Sequence, residues 1–162
     1  VFEQLDCVMP AAFIIPVGNG TLLLGVHIAL KELLSWGWIE KMPKILAVQA
    51  ENCSPILQAF NIGKDTVDPC ENKGTLAEGI AIASPARGSE ILNAVRDTSG
   101  DIIGVSEKSI ADARRLMAAK CIYVEITSGA NYAGYLDYVD KYPELKDQVV
   151  VLPLCGAGIK SN

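Results

Sequence analysis

Apolar residues fall along this chain in short unbroken blocks separated by polar, turn-forming stretches. The run AFIIPV, residues 12–17, has the length of a strand and no polar position. That pattern suits a strand buried on both faces. From Thr21 to about Trp36 the chain is apolar through Leu22–Leu30, turns charged at Lys31 and Glu32, and stops near Gly37; this predicts a helix. KILAVQAE, residues 44–51, predicts a second buried strand. A strand, a helix and a strand at this spacing form a βαβ unit, whose strands run parallel through a right-handed crossover.

The same pattern predicts a short helix over 54–61, with Ser54 as its cap and Pro55 at its first position. Residues 63–79 are a polar excursion with little periodicity, a loop of the kind found near function or a partner surface. Then follow a helix at 88–98, a strand at 101–106, a helix at 107–120, a strand at 121–125, a helix at 128–142 and a closing strand at 148–154. Strands alternating with helices predict an α/β fold with a mainly parallel sheet. Residues 1–8 look like the last turns of a helix halted before Pro10. Because the chain starts at Val1 with no cap before those turns, it is expected to be part of a longer protein.

The 162 residues suffice for one domain with a proper core. Half are hydrophobic and 20% charged, a globular balance. A formal charge of −5 argues against a nucleic-acid partner, since no cluster of Lys and Arg is present to replace counterions. No apolar run reaches the ~18 residues of a membrane span, and a cytoplasmic location is expected. Five cysteines, Cys7, Cys53, Cys70, Cys121 and Cys155, form no CxxC and no metal spacing, and are expected to be reduced thiols.

Candidate chemistry centres on Gly18-Asn19-Gly20-Thr21, which follows a predicted buried strand and opens a predicted helix. Ligands of open parallel sheets bind beyond the carboxyl ends of the strands. A helix start offers unpaired N–H groups and partial positive charge, which favour an anion and phosphate above all. Glycine lets the backbone approach such a ligand closely. A turn that uses Gly and Asn for geometry alone is the simpler alternative. The spacing is neither GxxxxGK[ST] nor GxGxxG. Even so, Glu51 ends the second strand, where a dinucleotide-binding domain keeps its ribose-binding acid. His27, inside an apolar helix, reads as packed core.

Four stretches together resemble the C-terminal part of threonine synthase-like enzymes, in the tryptophan synthase β group (fold type II) of pyridoxal-phosphate enzymes. They are FEQL with IIPVGNGTLLLGVHIALKEL, PKILAVQAENCSPILQAF, GTLAEGIAIASPARGSEILNAVRDTSGDIIGVSEKSI, and IYVEITSGANYAGYLDY with VVVLPLCGAGIK. The resemblance implies a three-layer αβα, Rossmann-like large domain and pyridoxal 5′-phosphate as cofactor. It implies that Gly18, Asn19, Gly20 and Thr21 hold the cofactor's phosphate. Glu125 would lie beside the ring. Cys155 stands where the family usually has a Thr or Ser facing the pyridine nitrogen. Ile126 replaces the family's usual proline.

The resemblance also implies what is missing. The family's lysine, which links covalently to the cofactor, lies upstream of the segment matching Phe13–Gly25 and has no counterpart here. The substrate-carboxylate loop is N-terminal too. The chain alone is therefore expected to be inactive and to need the N-terminal part of the enzyme as partner. Its implied activity is elimination or replacement at the β or γ carbon of a phosphorylated amino acid, as in threonine synthase or cysteate synthase. A dinucleotide-binding domain using Gly18, Gly20 and Glu51 is the rival reading, and a non-catalytic module a third. An unpaired sheet edge or an apolar patch, self-association and a homo-oligomer are expected.

Overall fold

The computed structural model describes residues 1–160. Its sheet has four parallel strands: β1 (Ala12–Pro16), β2 (Lys44–Ala50), β3 (Asp101–Val105) and β4 (Val150–Val151), in the order β3-β2-β1-β4. β1 pairs with β2 from Ala12↔Lys44 to Pro16↔Val48, and β2 with β3 from Leu46↔Asp101 to Ala50↔Val105. β4 meets β1 only at Ala12↔Val150 and Phe13↔Val151. Five helices connect them: α1 (Thr21–Ser35), α2 (Pro55–Asn61), α3 (Gly88–Asp97), α4 (Glu107–Ala119) and α5 (Ile126–Lys141).

Parallel strands need crossovers, and here the crossovers cover both faces. Alternation along the strands divides the core. Phe13, Ile15, Ile45 and Ala47 pack with Leu23, Leu24 and Leu30 of α1, Ile56 of α2 and Ile91 and Val95 of α3. Ile14, Leu46 and Val48 pack with Ile110 and Ala113 of α4 and Ala130, Ala133 and Tyr138 of α5. The strands read as continuous apolar runs because neither face meets water. The result is the expected α/β fold, a three-layer αβα arrangement on a parallel sheet.

Four local expectations are corrected. Residues 1–8 hold only a 3-10 turn, Glu3–Leu5, ended by Asp6 and Cys7 at φ 52° and 60°. Residues 121–125 are not a strand. Cys121 turns the chain at φ 62°, Ile122 and Tyr123 are exposed, and Val124 makes a single antiparallel bridge to Ala157. The closing strand shrinks to two residues. Pro153 has no N–H to donate, and the Asn131 amide of α5 donates to the Ile14 carbonyl at 3.0 Å, just past the last β1–β4 pair.

The fourth correction concerns α2. The Ser54 hydroxyl does not cap it but donates to the Glu51 carbonyl, 3.2 Å away. The fully buried Gln49 caps it instead, its Oε1 accepting from the Ile56 and Leu57 amides at 3.0 Å each. A strand residue thus satisfies two first-turn donors that would otherwise be orphaned.

Cys53, just beyond β2, is fully buried. Burial above all, and then its neighbour Cys70, push its thiol from an ordinary 9.0 to about 11. Between those values the unfolded chain gives up a proton that the folded chain keeps, so stability falls as pH rises through the window. The unfolding free energy is expected to drop by on the order of 2 kcal/mol from this group across that range. Urea melts at several alkaline pH values, repeated on Cys53→Ala, check it. An identical pH slope in the variant would reject the assignment.

Candidate active site

The strand order itself locates the site. From β1 the chain moves through β2 to β3, then returns past β1 to place β4 on its other side. The crossovers therefore diverge at the β1–β4 boundary, and such a switch point opens a crevice at the carboxyl ends of the strands. Three segments border it here: Gly18–Thr21 after β1, Pro153–Ala157 after β4, and Glu125–Ser128 at the start of α5.

Gly20 is the N-terminal flanking residue of α1, in the left-handed region at φ 81°. No side chain caps this helix, and no acidic residue stands in its first turn. The leading amides of a 15-residue helix thus keep their donors and their partial positive charge for an external anion. Asn19 and Thr21 are exposed there, whereas Gly18 and Gly20 are buried. A Cβ on Gly18 would lie 2.9 Å from Ile82 Cγ1 and 3.3 Å from the Gly79 carbonyl; one on Gly20 would lie 2.4 Å from Ile91 Cδ1. Packing beneath the turn accounts for both glycines, and the backbone amides are the donors it can offer.

Glu125, Cys155 and Ser128 form the other border. The Glu125 amide donates to the Gly156 carbonyl at 3.0 Å. Its carboxylate makes no capping bond to α5 and leans on Gly156, where a Cβ would lie 2.9 Å from it. The fully buried Ser128 accepts from the Cys155 amide at 3.0 Å. Cys155 is exposed, with its Sγ 4.0 Å from the Pro153 carbonyl. Partial burial first, and the Glu125 charge second, raise its thiol above the ordinary value, so at neutral pH it keeps its proton.

The polar excursion ties the two borders together. Gly79 and Ile82 pack on Gly18, and Thr127 Oγ1 sits 2.8 Å from where a Gly79 Cβ would be. Behind them Asn131, fully buried, donates to the carbonyls of Ile14 at 3.0 Å and Pro153 at 3.4 Å; its Oδ1 has no partner among the described residues. Gly79, Thr127, Ser128 and Asn131 were not singled out as site residues from the sequence. The one local sign was the small, polar start of α5, Thr127-Ser128-Gly129.

Two other residues weighed from the sequence lie elsewhere. Glu51 is exposed and leans over β3, its Cγ 3.1 Å from where a Gly104 Cβ would be, on the side of β2 away from β1. It does not join the Gly18–Thr21 turn. His27 is buried with Nε2 3.3 Å from an Asp97 carboxylate oxygen, at ion-pair distance but without a hydrogen bond. A concavity of about 780 Å³, lined by Met9, Lys44, Thr98 and Leu145 among others, opens at the amino-terminal end of the sheet, opposite the crevice. The described residues include no group of three or more metal-ligating side chains and no helix long and apolar enough to cross a membrane.

The fold is thus a three-layer α/β domain whose switch point carries an uncapped helix start suited to an anionic ligand. The chain belongs to the family described as pyridoxal-phosphate dependent enzyme, whose profile matches residues 1–156. It is 30% identical over 161 residues to a threonine synthase of Methanosarcina acetivorans, covering 99% of this chain and 40% of that protein. It is 28% identical over 149 residues to an L-threonine ammonia-lyase of Thermotoga maritima, covering 92% of this chain and 34% of that protein. The structure of a fungal L-serine ammonia-lyase from Rhizomucor miehei superposes with a TM-score of 0.78 at 29% identity, over 96% of this chain and 48% of that one. The chain thus spans less than half the length of these relatives, and the family's cofactor is the expected pyridoxal phosphate.

Proposed function

We propose that this chain is the cofactor-holding portion of a threonine synthase-like lyase or synthase, acting on a phosphorylated amino acid by elimination or replacement at its β or γ carbon. The observation that carries the reading is the uncapped start of α1, next to a turn that Gly79 links to the start of α5: a Gly18 Cβ would lie 3.3 Å from the Gly79 carbonyl, and a Gly79 Cβ 2.8 Å from Thr127 Oγ1. The residues fit the cofactor at both ends: a dianionic phosphate seeks amide donors, and a pyridine nitrogen seeks a small neutral partner.

Bound there, pyridoxal phosphate would supply an electron-withdrawing ring conjugated to the substrate's reacting carbons. Gly18, Asn19, Gly20 and Thr21 would hold its phosphate through backbone N–H groups, and the Thr21 hydroxyl would add a donor. Cys155 offers the ring nitrogen a thiol that retains its proton and hydrogen-bonds only weakly. Such a partner cannot fully protonate the ring. Ser128 holds the Cys155 backbone in place, and Glu125 would set negative charge beside the ring. Gly79 and Thr127 keep the two borders in register. Covalent attachment needs a lysine of the family's type, so the isolated chain holds the cofactor reversibly and does not turn over. The remainder of a relative's length would bring that lysine and the substrate-carboxylate loop, in a cytoplasmic homo-oligomer.

Amide-resolved NMR titration tests the reading. Pyridoxal phosphate is expected to move the Gly18, Gly20 and Thr21 resonances, and NAD to leave them in place. Movement with NAD that also involves Glu51 would replace this reading with a dinucleotide domain.

A further inference from the structure

Cys53 and Cys70 lie outside the crevice, and the proposed chemistry uses neither. All five cysteines are free thiols, and Cys70 stands near enough to Cys53 to help raise its thiol. The backbone around them is already laced together. Asn52 Nδ2 donates to the Gly74 carbonyl at 2.7 Å, the Lys73 amide to the Asn52 carbonyl at 3.0 Å, and the Cys70 amide to the Ala83 carbonyl at 2.9 Å. One sulfur therefore belongs to the end of β2. The other belongs to the excursion whose Gly79 packs against Gly18.

We propose that Cys53 and Cys70 are a dithiol modification site, closed to a disulfide by a low-molecular-weight disulfide such as oxidised glutathione, and that closure pins the excursion to the sheet beside the crevice. The inference does not depend on which cofactor the crevice takes.

The exchange balances in two steps. Cys70, the partly exposed thiol, loses its proton to solvent and attacks one sulfur of the small disulfide. A mixed disulfide forms and one thiolate leaves. Cys53 then gives up its proton, and its sulfur displaces the second thiolate from Cys70. Two S–H bonds are lost, one S–S bond forms, and the oxidant departs as two thiols. The buried Cys53 ionises with difficulty, which makes closure slow. The same reluctance makes it a poor leaving group, so the bond resists reopening. The pair therefore acts as a slow latch rather than a rapid sensor.

The test holds the full chain in glutathione buffers of rising oxidised fraction, quenches by alkylation and maps linked peptides without reduction. A Cys53–Cys70 linked peptide should become the main product, vanish in Cys70→Ser and reopen with dithiothreitol. Amides of residues 70–83 should exchange hydrogen about tenfold more slowly once it forms. Arrest at a glutathione adduct on Cys70 would overturn the proposal. So would modification confined to the exposed Cys7 and Cys121, or a link that leaves exchange in residues 70–83 unchanged.

Discussion

Gly100→Ala is expected to destabilise the chain more than any other substitution considered for this fold. A Cβ there would lie 1.9 Å from the Ile45 carbonyl oxygen, 2.9 Å from the Ile45 carbonyl carbon and 3.1 Å from the Val95 carbonyl oxygen. All three atoms are backbone, so no rotamer change can relieve the overlap. Nor can the turn withdraw cheaply. The Gly100 amide donates to Val95 at 2.8 Å, and the Ile45 amide donates to the Thr98 hydroxyl at 3.2 Å. Moving it would break both bonds and shift the start of β2, where Ile45 is fully buried. A loss of roughly 4 kcal/mol or more is expected, against a total stability of about 5–15 kcal/mol for an ordinary domain. Far-UV circular dichroism and urea unfolding decide it. A variant within about 1 kcal/mol of the parent would mean that the backbone yields here.

Gly20→Ala comes next in size and bears directly on the crevice. Two costs add. An L side chain at φ 81° strains the backbone by about 1–3 kcal/mol. Its Cβ would also fall 2.4 Å from Ile91 Cδ1 and 2.5 Å from Ile91 Cγ1, and overpacking of this kind costs about 1–3 kcal/mol. Ile91→Ala separates the two, because Gly20→Ala made in that background loses only the dihedral part. A double-mutant cycle should therefore show coupling of about 1–3 kcal/mol. Additivity would locate the whole cost in the backbone. Any relief of strain must rotate the amides that open α1, so weaker movement with pyridoxal phosphate is expected in the same variant.

What could be read from the sequence follows from what each pattern measures. β1 and β2 were legible because burial on both faces leaves an unbroken apolar run, and α1 because its apolar stretch is too long for a strand and follows a Gly-rich turn, even though Leu22 and Ile28 are exposed. The Gly18–Thr21 turn was legible because a helix following a strand must start at the strand's carboxyl end. Residues 121–125 misled for the same reason that strands are found. CIYVE has β-branched and aromatic side chains, but Cys121 at φ 62° turns the segment off the sheet, and propensity carries no information about a partner. The Gln49 cap was hidden because it joins a strand to a helix through tertiary placement. The Ser54 expectation used local spacing, and local spacing could not see a competitor arriving from β2.

The brevity of β4 has a consequence for how copies of this chain can meet. Val17 donates to Val48 on the β2 side, so by alternation the backbone of Pro16 faces the opposite edge. There β4 has already ended, and proline has no N–H to offer. Ile14, the other residue facing that way, has its carbonyl taken by Asn131. The upper half of β1 is thus chemically blank toward an incoming strand, a poor template for edge-to-edge aggregation. Self-association of this chain should run through side chains instead. The exposed Trp36 and Trp38, packed edge to face with ring centres 5.5 Å apart, are the prominent aromatic surface for it.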